Sequence, residues 1–124
     1  MDKKSKLIIC TNFSNGKKPD FKLFKESRVK CKSSTEILTD SGYQGLQKLH
    51  AKTRMPKKKS KKKPLTQEDK KNNGKISSER VLNENVIGVI KRFKIVNDKY
   101  RNRRKRFGLR FNLICGIYNY ELSL

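Results

Sequence analysis

Three observations predict an α/β fold: a short apolar run, Leu7-Ile8-Ile9-Cys10-Thr11, that reads as a buried strand; a second run, Glu36 to Thr39, that stops at Asp40; and a helical pattern after each. The order along the chain is strand, helix, strand, helix, possible strand and then helices, the alternation expected of an α/β domain. The 124 residues leave room for one small domain, and with 33% hydrophobic content its core is expected to be modest.

Asn12 to Pro19, with Asn15-Gly16 inside it, is turn-rich. Asp20 is placed to cap a short helix reaching Ser27, to which Phe21, Leu23 and Phe24 give an apolar side while Glu26 and the lysines keep the other side wet. Arg28 to Thr35 is a polar connection. After the second strand, Asp40 stands directly before Ser41-Gly42-Tyr43-Gln44-Gly45. Loops at the carboxyl ends of strands carry chemistry in α/β sheets because the sheet holds them rigid; equally, an Asp here can cap the helix expected from Gln44 to His50. Lys52 to Met55 is a possible third strand, ended by Pro56. The block Lys57-Lys58-Lys59-Ser60-Lys61-Lys62-Lys63 is expected to be a flexible, solvated loop able to contact phosphates without reading sequence. Thr66 then caps a helix with an acidic first turn, and Asn72-Asn73-Gly74 is expected to end it.

Ile76 to Lys94 reads as an amphipathic helix. At about 100° per residue, Leu82, Val86, Val89, Ile90 and Phe93 fall on one apolar stripe, while Arg80, Glu84 and Lys91 fall within roughly 40° of one another on the opposite side. A carboxylate between two cations is an ordinary solvated pair on most helices. Here, however, Arg precedes Glu at i,i+4, the less favourable orientation for helix support, which leaves room for a metal-binding Glu flanked by phosphate-handling cations. A break near Val96-Asn97 leads to Asp98 as cap of a last helix, where Phe107, Phe111, Ile114, Tyr118 and Leu122 form an apolar stripe. The basic cluster Arg101-Asn102-Arg103-Arg104-Lys105-Arg106 ahead of that stripe suits phosphate contact.

Thirty-three Lys and Arg against eleven Asp and Glu give a net charge of +22. Such a density of positive charge opposes compaction unless a polyanion screens it, and nucleic acid is the expected partner. A membrane surface is not: the chain has no Trp-rich amphipathic helix, and Leu7 to Cys10 is too short for a signal peptide or a membrane span, so a cytoplasmic protein is expected. Cys10, Cys31 and Cys115 are odd in number and widely spaced, which argues against a disulfide framework or a paired-cysteine zinc site and for small core residues. His50 is the one histidine, which removes most nucleophile-plus-base mechanisms that depend on an imidazole, so any catalysis is expected to run on carboxylates. Asp40 after a strand and Glu84 on a later helix fit a plan for divalent-metal phosphodiester chemistry.

Several blocks carry a resemblance: Ile8 to Gly16, Asp20 to Phe24, Leu38-Thr39-Asp40-Ser41-Gly42-Tyr43-Gln44-Gly45, and Glu79 to Phe93 with its Arg-x3-Glu-x6-Lys pattern at Arg80, Glu84 and Lys91. With the Tyr100 to Arg104 cluster, these resemble the DDE transposases of bacterial insertion sequences, the DDE-superfamily endonucleases with a ribonuclease H-like fold, and the resemblance covers essentially all 124 residues. It implies that Asp40 is the second metal-binding Asp and Glu84 the metal-binding Glu, with Mg²⁺ or Mn²⁺ as cofactor. Transposon-end and target DNA are the implied partners. Arg80, Lys91, Arg101, Arg103, Arg104, Lys57, Lys58, Lys59, Lys61, Lys62 and Lys63 would be the DNA-contacting cations. Glu79 lies off the Arg80-Lys91 face.

The family's first metal-binding Asp and the strand that bears it have no counterpart here; Asp2, in a turn-like Asp-Lys-Lys-Ser-Lys, is a poor substitute. The resemblance therefore implies a partial ribonuclease H-like domain, residues 1–124, lacking the first two strands and followed by C-terminal helices. A sheet without its centre leaves the Leu7-Thr11 strand unpaired, so the isolated chain is expected to fold poorly, to be inactive, and to need a missing N-terminal half on another polypeptide for activity; a homo-oligomer is a further partner left open. The competing class is a small basic, non-enzymatic nucleic-acid-binding protein of the ribosome-associated type.

Overall fold

The computed structural model describes residues 1–14, 16–99 and 106–124. The chain divides into two compact units, Ser14–Arg80 and a second made of Met1–Phe13 with Val81–Leu124.

Within Ser14–Arg80, α1 (Asp20–Glu26) opens the unit. Its N-cap is Pro19, in an extended conformation, whose carbonyl accepts the Leu23 N–H at 3.1 Å. Asp20 is thus not the cap that its sequence position suggests. It sits in the first turn, where the helix dipole favours a carboxylate. The strands β1 (Ile37–Leu38) and β2 (Thr53–Arg54) pair in parallel, Ile37 with Thr53 and Leu38 with Arg54, around the crossover that carries α2 (Leu46–Leu49). The bonds Ile37 N–H to Lys52 O (2.8 Å) and Thr39 N–H to Arg54 O (3.0 Å) extend the ladder. Gly45 takes φ +96° at the start of α2, a left-handed conformation that favours glycine. The apolar centre is small: Leu46 is 1% exposed and Ile76 is buried, with the Phe24 ring edge-on to Tyr43 at 6.2 Å.

The helix α3 (Gln67–Ile90) begins with a reciprocal cap: the Asp69 N–H donates to Thr66 Oγ1 at 3.1 Å and the Thr66 N–H to Asp69 Oδ2 at 3.2 Å. Asn72-Asn73-Gly74 does not end this helix, and the segment expected as two helices is one of 24 residues. A glycine inside a helix costs only about 1 kcal/mol. Against that, the Asn73 carboxamide binds the backbone of Lys57, taking its N–H at 2.8 Å and donating to its carbonyl at 3.0 Å, and the next turn buries Ile76. The polarity that suggested a stop is a docking contact.

In the second unit, Val86 and Ile90 from the end of α3 pack with Ile114, Cys115 and Tyr118 of α5 (Phe107–Ser123), flanked by Ile8, Phe93, Ile95, Val96 and Phe111. The expected stripes hold at their centres and fail at their edges: Val89 and Leu122 are exposed, whereas Cys115 is buried. The break after α3 comes earlier than expected, and a short helix, α4 (Lys94–Asn97), follows with Asp98 as its C-cap; α5 starts only at Phe107. Phe13 sits edge-on to Phe107 at 5.2 Å, and a Cβ on Gly108 would run into the Phe13 ring.

Leu7 to Thr11 is not a strand, and the sheet is two-stranded among the described residues. The segment docks through side chains of α5. Asn119 accepts the Ile8 N–H and donates to the Ile8 carbonyl, both at 2.9 Å, Tyr118 donates to the Lys6 carbonyl at 3.3 Å, and Thr11 bonds Asn112. A carboxamide presents N–H donors and a carbonyl acceptor, as a neighbouring strand residue would, so the Ile8 backbone is satisfied without strand pairing. Leu7 to Thr11 is therefore not an unpaired strand in this structure. Cys10 and Cys31 are exposed, and only Cys115 is the small core residue that all three were expected to be.

Candidate functional site

An aspartate that ends a strand needs something to fix its carboxylate. Here Asp40 Oδ1 accepts the Gly42 N–H at 2.8 Å, while Oδ2 lies 3.9 Å from the guanidinium of Arg80 on α3. The side chain does not cap α2, whose N-cap is Gly45. A Cβ on Gly42 would lie 3.0 Å from Asp40 Oδ1, so a side chain there would press the carboxylate out of its place by a few tenths of an ångström. Next to it, burial above all, and then the charges of Asp20 and Asp40, push the Tyr43 phenol above its ordinary pKa. Tyr43 is therefore neutral near pH 7.

The structure thus puts Arg80, which the helical spacing groups with Glu84 and Lys91, beside Asp40. Glu84 follows one turn later on α3, is exposed, and belongs to the other compact unit. Lys91 lies just past the helix end, its amide bonded to the Ile87 carbonyl at 2.9 Å, with an exposed side chain. Arg101, Arg103 and Arg104 lie outside the described residues.

The basic loop shows a division of labour. Lys57 is held at its backbone by Asn73 and at its ammonium by Asp69, 2.9 Å away. Lys58, Lys59, Lys61, Lys62 and Lys63 are exposed, and a turn in which the Lys63 N–H donates to Ser60 Oγ (3.0 Å) and the Ser60 N–H to the Lys63 carbonyl (3.3 Å) gathers them. Lys57 anchors; the other five present charge.

Sequence reasoning missed Arg54. Its guanidinium bonds Glu79 through both ends, at 3.0 and 3.3 Å, and reaches Glu36 at 3.0 Å, tying the residue before β1, strand β2 and helix α3 together. Bonds to Glu36 first and Glu79 second raise its already high pKa, so Arg54 keeps its charge at any ordinary pH. Glu79 is therefore a structural partner. The available signal was the spacing that puts Glu79 off the Arg80 face of α3.

Hard carboxylate oxygens suit Mg²⁺ or Mn²⁺, and Asp40 offers them in a fixed orientation. The donor chemistry fits such an ion, but the number of donors does not complete a site: among the described residues no three His, Cys, Asp or Glu side chains gather as a metal cage. Nor is any described helix long and apolar enough to cross a membrane.

A family model described as "DDE superfamily endonuclease" matches residues 1–119. A protein of Microchaete diplosiphon described as "Probable transposase for insertion sequence element IS702" is 46% identical over 121 residues. The match spans 98% of this chain and 44% of that relative. No solved structure matches the chain.

Proposed function

Because the chain belongs to the DDE superfamily endonucleases, we propose that it is the C-terminal part of an insertion-sequence transposase with a partial ribonuclease H-like fold, working on transposon-end and target DNA in the cytoplasm. The observation that carries this reading is the carboxylate of Asp40, fixed at the end of β1 by the Gly42 N–H with Arg80 beside it. Asp40 and Glu84 are the two carboxylates this chain offers to Mg²⁺ or Mn²⁺. When bound, such an ion activates an attacking oxygen and steadies the leaving one in phosphodiester cleavage and strand transfer.

The chain's own residues do the rest. Arg80, beside Asp40, restrains its carboxylate and places a planar donor where a phosphate would lie, and Lys91 adds a point charge. The exposed lysines of the 58–63 turn and the Arg101, Arg103 and Arg104 cluster hold the DNA backbone without reading sequence. With two carboxylates instead of three, the chain alone binds metal weakly and does not cut. A first Asp comes from another polypeptide or from further chain.

Adding Mg²⁺ or Mn²⁺ to the purified chain is expected to raise its melting temperature slightly, and Asp40→Ala and Glu84→Ala are each expected to abolish that rise. A shift untouched by both substitutions would sink the site. With end-bearing duplex added, no nicking is expected; nicking lost on Asp40→Ala would refute the inactivity of the lone chain.

A further inference from the structure

A cleft of about 670 Å³ opens in the unit Ser14–Arg80, between the Gln44-Gln47 stretch at the start of α2, the segment leaving β2 and the first turns of α3. The cations in its walls are already spent: Arg54 is bound by Glu36 and Glu79, and Lys57 by Asp69. What remains is apolar surface from Met55, Pro56 and the buried Ile76, together with the carboxamides of Gln44, Gln47 and Asn72. Lys58, exposed, is the cation left at the edge.

That combination selects a ligand. A bare anion needs free cations, which the cleft lacks beyond its edge, and a purely apolar ligand would leave the carboxamides without partners. A nucleobase meets both surfaces, with apolar faces and an edge of donors and acceptors. Adenine suits the carboxamides best: its N6 amino group and N7 set a donor beside an acceptor, which Asn or Gln matches with two hydrogen bonds, whereas the paired acceptors of guanine are read by Arg or Lys. The amides differ in how far they are committed. Asn73 is held on the Lys57 backbone, Gln44 Nε2 donates to the Ser41 carbonyl at 3.1 Å, and Gln47 Nε2 reaches the Thr53 carbonyl at 3.5 Å. Asn72, exposed beside Asn73 on α3, makes none of these bonds.

The surroundings say which adenine. The segment that forms the Met55-Pro56 wall runs into Lys57, pinned to α3 by Asn73 and Asp69, and then into the exposed lysine turn. A strand whose phosphates lie on those lysines therefore has a base site beside it. Parallel pairing of β1 and β2 puts this cleft and Asp40 at the same, carboxyl edge of the sheet, and α3 carries Asn72 and Arg80 about 12 Å apart along its axis. We infer that the cleft takes one unpaired adenine of a DNA strand held by the 58–63 lysines, Asn72 reading its N6-N7 edge while Met55, Pro56 and Ile76 cover its faces. The inference rests on the DNA-holding role proposed for those lysines and adds base recognition, which lysines on phosphates do not supply.

The probes are short fluorescent oligothymidines, plain or with one central residue changed to adenine, guanine or cytosine, titrated with the nuclease-treated chain by anisotropy over a range of salt. The adenine probe should bind about tenfold tighter than the others, within the discrimination of one bidentate contact. Asn72→Ala should remove that excess and leave binding of plain oligothymidine unchanged; the position is exposed and helical, where Ala is well tolerated. Lys62→Gln should do the opposite, weakening all the probes alike, lowering the salt dependence by about one charge and keeping the adenine preference. Free adenosine monophosphate should bind far more weakly than the adenine probe, since a single phosphate meets only the edge of the lysine turn; equal affinity would make a free nucleotide the ligand and overturn the assignment to a strand. Equal binding of all the probes, or an adenine preference that survives Asn72→Ala, would also overturn the inference while leaving the DNA-holding role in place. Failure to bind any probe would overturn both.

Discussion

In the unit of Met1–Phe13 and Val81–Leu124, five buried side chains from two helices meet, and polar side chains of α5 secure the flanking Leu7 to Thr11 backbone. The unit Ser14–Arg80 has little such core. Its two strands are two residues long, and what joins them to α3 is the charged fork of Arg54 on Glu36 and Glu79. The contrast teaches how each element found its partners. A helix supplies an apolar stripe from its own periodicity, whereas a very short strand pair cannot cover itself and borrows long polar side chains.

The sharpest way to break that comparison is to remove apolar volume from the first unit. Ile114→Ala deletes a buried side chain from the α3–α5 seam and should cost about 2–4 kcal/mol. Cys115, buried next to it with burial raising its thiol pKa, reports the damage directly: in the parent chain Cys10 and Cys31 should alkylate promptly and Cys115 slowly. In Ile114→Ala the Cys115 rate should rise toward theirs. If it does not, the seam does not hold this unit.

Arg54→Met makes the corresponding cut in the other unit. Arg54 is more than a third exposed, so screening limits the loss to about 1 kcal/mol, and part of that is the desolvated Glu79 left behind. The loss should shrink as salt rises, while that of Ile114→Ala should not. Unfolding midpoints of the two variants at low and high salt measure the difference, and equal salt responses would abolish the distinction.

The same division decides what could be read in advance. The alternation of helices and strands was legible from Glu36 onward because apolar runs and turn residues mark it, and Asp40 and Arg80 were legible as candidates and meet. The family was legible because its motifs are dense in Leu38 to Gly45 and Glu79 to Phe93. Leu7 to Thr11 was misread as a strand because apolar, β-branched runs satisfy the pattern whether their backbone partner is another strand or the carboxamide of Asn119, more than a hundred residues away. Asn73 was misread as a helix stop for a related reason: local preference cannot show that its side chain has a partner at Lys57. Arg54, Asn73 and Asn119 are long-range polar contacts, and these leave no periodic trace.

The smallest effect separates anchoring from charge display inside the basic loop. The Lys57 ammonium first, and the Thr66 N–H second, hold the Asp69 carboxyl below its ordinary value. Its folded pKa is therefore lower than its unfolded one, and the unfolded chain binds more protons as pH falls. The stabilisation is present above the unfolded value, near 3.8, and is lost as pH drops through the folded value. Asp69→Asn should accordingly lower protection of the Lys57 and Asp69 amides near neutrality, and the gap from the parent chain should close as pH falls below the ordinary carboxylate value of 3.8 and through the lowered folded one. Amide exchange at those two positions measures it. Lys62→Gln, in the exposed turn, should leave both amides unchanged at every pH while reducing the salt dependence of DNA binding by about one charge. If Lys62→Gln loosened the Lys57 amide as Asp69→Asn does, the loop would be a single folded element and the anchor would not be separable from the cations it carries.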